Sequence, residues 1–219
     1  MIFRMSGGVL DLGRRPRVMG ILNITPDSFF DGGKFQTIDR ALAAARRMAA
    51  EGADIIDVGG ESTRPGAQEL SAEEEAGRVV PVIRAIRAEL SVAVSVDTSK
   101  AVVAEAALGA GTMVVNDVSA GSWDENMFEV VARHGAGIVL MHTPGRPDEM
   151  MARTDYADLW GTLENWFEQR SRKARAAGID SEAIAIDPGL GFGKTTEQNL
   201  EILAGLGRLA KLGHPLLVG

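Results

Sequence analysis

Short apolar runs alternate along this chain with longer segments whose apolar positions recur at helical spacing. The runs are continuous, which is typical of parallel strands buried on both faces. They cover residues 17–23, 54–59, 92–98, 113–118, 137–142, 183–187 and 215–219. The segments between them predict helices over 37–50, 71–90, 99–108, 124–133, 156–176 and 196–211. We expect Pro81 to kink or break the second helix. The chain is therefore predicted to be a βα series in one domain, 1–219, after a small hairpin at 2–12.

Polar residues stand at the ends of most predicted strands. Asn23, Asp97, Asn116, His142 and Asp187 each interrupt an apolar run near its end. The carboxyl ends of the strands of a (β/α)8 barrel converge on one face, whereas an open doubly wound sheet gathers only a few at its switch point. Contributions from so many successive strands favour the barrel and a shared site at its mouth.

Composition narrows the chemistry of that site. The 219 residues include 30 acidic and 23 basic side chains, and the net charge of −7 argues against a general nucleic-acid or membrane-surface binder. There is no cysteine, which excludes disulfides, thiolate nucleophiles and zinc–thiolate sites. No apolar run approaches the length of a membrane span and no signal-peptide pattern opens the chain, so we expect a cytoplasmic location.

Asp97, Asn116 and Asp187 are the strongest candidates for ligand binding. Each one alone is also compatible with a structural cap, because a buried carboxylate needs hydrogen bonds. Three of them on one barrel face favour a ligand with several N–H groups, such as a planar heterocycle with a guanidine-like edge. His142 has no partner at metal-ligand spacing, so a structural role is favoured. Segment 189–195 lacks the spacing of a P-loop, and it is either a plain loop or a place where the backbone approaches a flat ligand.

These residues lie in segments that resemble the dihydropteroate synthase family. The resemblance runs from Met19 to the end of the chain and rests on six segments in order: MGILNITPDSF at 19–29, DVGGESTRPG at 57–66, SVDT at 95–98, NDVS at 116–119, LMH at 140–142 and DPGLGFGK at 187–194. It implies a pterin-binding TIM barrel. It also implies that 6-hydroxymethyl-7,8-dihydropterin pyrophosphate condenses with p-aminobenzoate to give 7,8-dihydropteroate and pyrophosphate in folate biosynthesis.

The resemblance assigns roles to individual residues. The pterin-binding positions are matched by Asp97, Asn116, Asp187, Met141, Phe192 and Gly191. The positions near the pyrophosphate and the p-aminobenzoate are matched by Thr63, Arg64 and Pro65, and Asn23 matches a residue that holds Mg²⁺ with the pyrophosphate. The catalytic roles it implies fall on Asp97, Asp187 and Arg64.

The resemblance also implies features that this sequence does not contain. The family's Ser-Arg-Lys segment, its late Arg-x-His site and its last two helices do not occur, so we expect a barrel truncated within the seventh strand. The family's homodimer forms through those late helices. Two other functions stay open: a corrinoid-linked methyltetrahydrofolate methyltransferase with the same barrel, and a non-catalytic fragment that binds pterin. Segments 25–29 and 62–65 favour the synthase over the methyltransferase.

Overall fold

A parallel sheet whose strands are connected by helices makes up most of the protein. The computed structural model describes residues 1–24, 33–62 and 69–219. The strands in chain order are β1 (Ile2–Met5), β2 (Gly8–Asp11), β3 (Met19–Asn23), β4 (Ile55–Gly59), β5 (Ala93–Asp97), β6 (Val114–Asp117), β7 (Gly137–Met141) and β8 (Ile184–Asp187). The helices are α1 (Gly33–Ala50), α2 (Ala72–Glu89), α3 (Ala101–Gly109), α4 (Met127–Arg133), α5 (Leu159–Ala176), α6 (Thr196–Ala204) and α7 (Leu206–Ala210), with short 3₁₀ turns at Met150–Ala152 and Ser181–Ala183.

The order of the strands in the sheet is the order of the chain. Strands β3 to β8 are hydrogen-bonded to their neighbours in sequence, all parallel, whereas β1 and β2 form a separate antiparallel hairpin. A doubly wound sheet would reverse its strand order at the switch point, and this sheet does not. The described residues thus form six successive strands of a (β/α)8-type barrel, the class that the sequence predicts.

The register of the strands separates an inner from an outer set of side chains. Alternate residues pack outward against the helices in the main apolar cluster, and they include Ile56, Val94, Val115, Ile138 and Ile186. Their neighbours in sequence face inward and form a second cluster with Phe3 and Met5 of the hairpin; they are Ile55, Ala93, Val114, Val139 and Ala185. The hairpin therefore closes the amino-terminal end of the barrel interior, and the carboxyl end is left for polar groups.

Three local differences from the sequence prediction have physical reasons. Helix α2 runs unbroken through Pro81, because its buried face of Val79, Val82, Ile83 and Ile86 anchors both sides of the proline. The predicted helix 196–211 is interrupted at Gly205, where the Trp160 ring packs so closely that a Cβ would lie 2.3 Å from it. The predicted strand 215–219 contributes a single parallel bridge between Leu216 and Ile186.

Within the described ranges, no helix is both long and apolar enough to cross a membrane.

Candidate active site

A row of polar residues crosses the sheet at the carboxyl ends of β3 to β6. Asn23 pairs in register with Gly59, Gly59 with Asp97, and Asp97 with Asn116, so all four belong to the inner set. A Cβ on Gly59 would lie 3.0 Å from Oδ1 of Asn23 and 3.5 Å from Oδ2 of Asp97. Glycine at position 59 thus allows these two side chains to approach each other above β4.

A buried hydrogen-bond network orients Asn116. Its Nδ2 donates to Oδ2 of Asp57 at 2.9 Å, and the Ser95 hydroxyl donates to Oδ1 of the same carboxylate at 2.5 Å. Because the amide nitrogen of Asn116 is held by Asp57, its carbonyl oxygen is the atom left to accept from a ligand. Asp57 and Ser95 are not predicted as site residues from the sequence. The sequence does contain a signal for them: they stand two residues before Gly59 and Asp97, and alternate residues of a strand lie on the same face.

The pKa of Asp97 is raised well above the usual range of an aspartate. Burial is the largest cause, followed by the nearby carboxylates of Asp57 and Glu75. Burial also raises the pKa of Asp57, against the effect of its hydrogen bonds from Ser95 and Asn116. This end of the barrel interior therefore favours protonated carboxyl groups, and a ligand that brings N–H donors or positive charge would favour their ionised forms.

Asp187 lies on the inner face of β8, in register with Met141 of β7. Burial raises its pKa to about 6, although the Gly189 N–H opposes this by donating to Oδ1 at 2.7 Å. With Oδ1 engaged by the backbone, Oδ2 is the oxygen positioned to meet a ligand. Met141 is 4% exposed and Phe192 is half-buried in the segment that follows Asp187. Met141 therefore lies beside Asp187 in the sheet, and Phe192 follows it by five residues in the chain.

The glycine-rich segment after β8 packs directly on the end of β7. Gly189 has a φ of +67°, and a Cβ there would lie 2.2 Å from the carbonyl oxygen of His142, so both its conformation and its contact require glycine. Gly191 also has a positive φ, of +80°, and its N–H donates to Oδ1 of Asn199. The segment is thus held at Gly189 by close contact with His142 and at Gly191 by a hydrogen bond to α6.

His142 and Lys194 are buried side by side beneath that segment. Nζ of Lys194 lies 3.1 Å from Nδ1 of His142. Burial, followed by the charge of Lys194, lowers the pKa of His142 to about 3, and burial lowers the pKa of Lys194 to about 7. Such a histidine is neutral at physiological pH, which agrees with the structural role that the sequence favours.

A cleft of about 240 Å³ opens beside Asp97. On one side, Nζ of Lys100 donates to the carboxylates of Glu61 and Glu75, the latter at 2.7 Å. On the other side, the guanidinium of Arg146 lies over the Trp123 ring, 5.0 Å from its centroid. The cleft therefore adds charged and aromatic walls next to the inner row of polar residues.

The remaining sequence-predicted positions are Thr63, Arg64 and Pro65, which lie outside the described residues. The described parts of the chain contain no cluster of three His, Cys, Asp or Glu side chains that could hold a metal ion. Asn23 is exposed at the end of β3 and offers a single amide oxygen. The predicted Mg²⁺ is therefore not enclosed by the described protein groups.

Comparison with known proteins agrees with this geometry. The chain matches the family of pterin binding enzymes over residues 19–219. It is 48% identical over 211 residues to the dihydropteroate synthase of Synechocystis, a match that covers 96% of this chain and 73% of the relative. The chain belongs to the dihydropteroate synthase family. The resemblance inferred from the sequence segments is confirmed, as is the transferase class.

Solved dihydropteroate synthases also share the fold. The Xanthomonas albilineans enzyme solved with 4-aminobenzoic acid has a TM-score of 0.91 and 44% identity, over 100% of this chain and 78% of that one. A structure of the same enzyme with 7,8-dihydropteroate has a TM-score of 0.86 and 42% identity, over 99% of this chain and 77% of that one. These structures therefore confirm the barrel that the polar residues at the strand ends predict.

Proposed function

We propose that this chain catalyses the dihydropteroate synthase reaction of folate biosynthesis through the acceptor groups at the barrel mouth. The substrates are 6-hydroxymethyl-7,8-dihydropterin pyrophosphate and p-aminobenzoate, and the products are 7,8-dihydropteroate and pyrophosphate. The observation that carries the proposal is that Asp97, Asn116 and Asp187 each lie on the inner face at the carboxyl end of a strand, in a member of this family.

The three acceptors match a pterin. A pterin presents an amino group and ring N–H groups along one edge, and carboxylates that accept such bonds form short, charge-assisted contacts. Gly189 engages Oδ1 of Asp187 and Asp57 engages Nδ2 of Asn116, so we assign Oδ2 of Asp187 and Oδ1 of Asn116 as the acceptors for the ligand. We assign Met141, Gly191 and Phe192 to the walls that flank the ring.

The mechanism we propose is a displacement at the exocyclic carbon of the pterin. The bond from this carbon to the pyrophosphate oxygen breaks, and positive charge develops on the dihydropterin. Asp97 and Asp187 stabilise that charge because both carboxylates are buried and a positive charge beside them favours their ionised forms. The amine of p-aminobenzoate then forms the new C–N bond and loses a proton. The chain contains no cysteine, and the proposal needs no covalent enzyme intermediate.

Pyrophosphate is a highly charged leaving group, so positive charge must lie beside it when it departs. We assign Thr63, Arg64 and Pro65 to the pyrophosphate and p-aminobenzoate side, with Arg64 as a fork of donors for phosphate oxygens. Asn23 fits a Mg²⁺ ion shared with the substrate, since Mg²⁺ commonly takes one or two protein oxygens and completes its shell with phosphate oxygens and water. When bound, Mg²⁺ neutralises charge on the departing pyrophosphate. The homodimer and the cytoplasmic location expected from the sequence stay predictions.

Replacing Asp97 with Asn tests the catalytic role. The substitution keeps the shape of the side chain and removes its charge, so we expect kcat to fall by about 10²–10³ with a smaller change in KM for the pterin substrate. The measurement is steady-state formation of 7,8-dihydropteroate. Glu129→Gln, at an exposed carboxylate on α4, is the matched control and should leave both constants unchanged. A rise in KM with an unchanged kcat would make Asp97 a binding residue only.

A further inference from the structure

Lys194 ends the glycine-rich segment, yet its ammonium group points into the protein. The residue is 3% exposed, and its Nζ donates to the carbonyl oxygens of Gly189 and Phe192, each at 2.9 Å. It also lies 3.3 Å from the carbonyl oxygen and 3.1 Å from Nδ1 of His142. The partners are thus main-chain oxygens and a ring nitrogen, from His142, which follows β7, and from the segment after β8.

Burying an amino group is costly, and the contacts with these acceptors offset that cost. They fasten the turn formed by residues 189–192 to the residue that follows β7. Within that turn, the Phe192 N–H donates to the carbonyl oxygen of Gly189, the same oxygen that Lys194 holds. One ammonium group therefore fixes both ends of the turn.

The turn controls the two groups that the proposed pterin site draws from this part of the chain. The Gly189 N–H holds Oδ1 of Asp187 at 2.7 Å, which sets the direction of Oδ2. The main chain of Asp187 is held in turn by the N–H of His142, which donates to its carbonyl oxygen at 3.0 Å. The position of the Phe192 ring depends on the same contacts, because Lys194 donates to the carbonyl oxygen of Phe192.

We propose that Lys194 is a positioning residue for the heterocycle pocket: by holding the 189–192 turn against His142, it fixes the Asp187 carboxylate and the Phe192 ring in their ligand-binding orientation. Lys194 does not touch the substrate in this arrangement. The inference rests on the proposed function only through the assignment of Asp187 and Phe192 to the pterin site.

A double-mutant cycle on the full chain tests this role, with 7,8-dihydropteroate as the probe and calorimetry as the readout. Lys194→Met keeps most of the side-chain volume and removes the donor. We expect it to weaken binding about 10- to 100-fold, as for the loss of a hydrogen bond to a charged group. Asp187→Asn should also weaken binding by at least about tenfold. Because part of the effect of Lys194 runs through Asp187, the double variant should lose less affinity than the product of the two single losses, since coupled residues are not additive.

The controls separate positioning from general stability. Lys173→Met, at an exposed lysine of α5, should leave the affinity unchanged. Hydrogen exchange should speed up at the amides of Gly189 and Phe192 in Lys194→Met, and it should stay unchanged in β3 to β5. If Lys194→Met does not fold, Lys194→Gln, which keeps a shorter donor, takes its place in the cycle.

The outcomes are distinguishable. Additive losses of affinity, or an unchanged affinity in Lys194→Met while Asp187→Asn weakens binding, would overturn the positioning role and leave the proposed function intact. An unchanged affinity in Asp187→Asn would overturn the assignment of Asp187 to the pterin site, and the positioning role would fail with it.

Discussion

At the scale of the residue, the carboxyl groups of the barrel mouth hold protons more tightly than ordinary aspartates do. Burial raises the pKa of Asp187 to about 6, and burial together with neighbouring carboxylates raises that of Asp97 well above its usual range. A ligand that offers N–H groups needs the ionised forms as acceptors. Ligand binding and loss of protons are therefore coupled at this site.

We predict that 7,8-dihydropteroate binding near pH 6 releases protons. Asp187 is about half protonated there in the free protein, and the ligand selects its ionised form. The measurement is the binding enthalpy in two buffers of different ionisation enthalpy, which should differ in proportion to the protons released. Asp187→Asn should reduce that difference. Equal enthalpies in the two buffers for the unsubstituted chain would contradict the coupling.

Single residues also show where sequence reasoning reaches its limit. The strand-end positions of Asp97, Asn116 and Asp187 were predictable because each breaks an apolar run, whereas their role in ligand binding stays a prediction. Asp57 and Ser95 lie inside their strands and were missed, since the link between them and Asn116 depends on the register of three strands. Neighbouring strands fix that register through long-range pairing, which no local pattern reports.

At the scale of the element, Lys100 joins three parts of the fold. It is the N-cap residue of α3, and its ammonium group reaches Glu61, which follows β4, and Glu75 in the first turn of α2. Glu61 also accepts from the N–H of Leu70 at 3.1 Å. Because Glu75 is 1% exposed, its charge depends on Lys100 for compensation.

Removing the cation should therefore destabilise the fold. We predict that Lys100→Met lowers the free energy of unfolding by about 3 kcal/mol, the usual cost of leaving a buried charge without its partner. Adding Glu75→Gln should recover part of the loss, because it removes that charge. Urea unfolding measures both, and Lys173→Met is the exposed control. A loss of stability equal to that of the control would show that water already solvates Glu75.

The sequence predicted where helices form better than it predicted where they are interrupted. The capping box of Ser71 and Glu74 at the start of α2 was visible in the sequence and is present in the structure. The division between α6 and α7 was not, because Gly205 alone is compatible with a helix and the Trp160 ring that packs on it lies 45 positions away in sequence. Tertiary contacts of this kind override local periodicity.

At the scale of the whole molecule, the barrel separates stability from chemistry. The hairpin and the inward apolar residues occupy the amino-terminal end, whereas the polar row occupies the carboxyl end. The barrel class was predictable because polar residues recur at successive strand ends. The hairpin was predicted as an element, but its position was not, since nothing in residues 2–12 states which end of the barrel they cover.

This separation predicts that damage to the hairpin costs stability and leaves affinity unchanged. Phe3 is 4% exposed and packs with Ile55, Ala93 and Val114 inside the barrel. Phe3→Ala should lower the free energy of unfolding by about 3–5 kcal/mol, the range for truncating a buried aromatic side chain. Val9→Ala, at a 51% exposed position in the same hairpin, should change it by less than about 0.5 kcal/mol.

The decisive comparison is the affinity of the folded Phe3→Ala variant for 7,8-dihydropteroate, measured at a temperature where unfolding is negligible. Phe3 packs against residues at the starts of β4 to β6, whereas the residues assigned to the ligand lie at the opposite ends of the strands. The substitution therefore removes no contact of the assigned residues themselves. We therefore expect a Kd within about twofold of that of the unsubstituted chain, because distant sites with no shared partners act independently. A loss of affinity comparable to that of Asp187→Asn would mean that the hairpin controls the geometry of the barrel mouth.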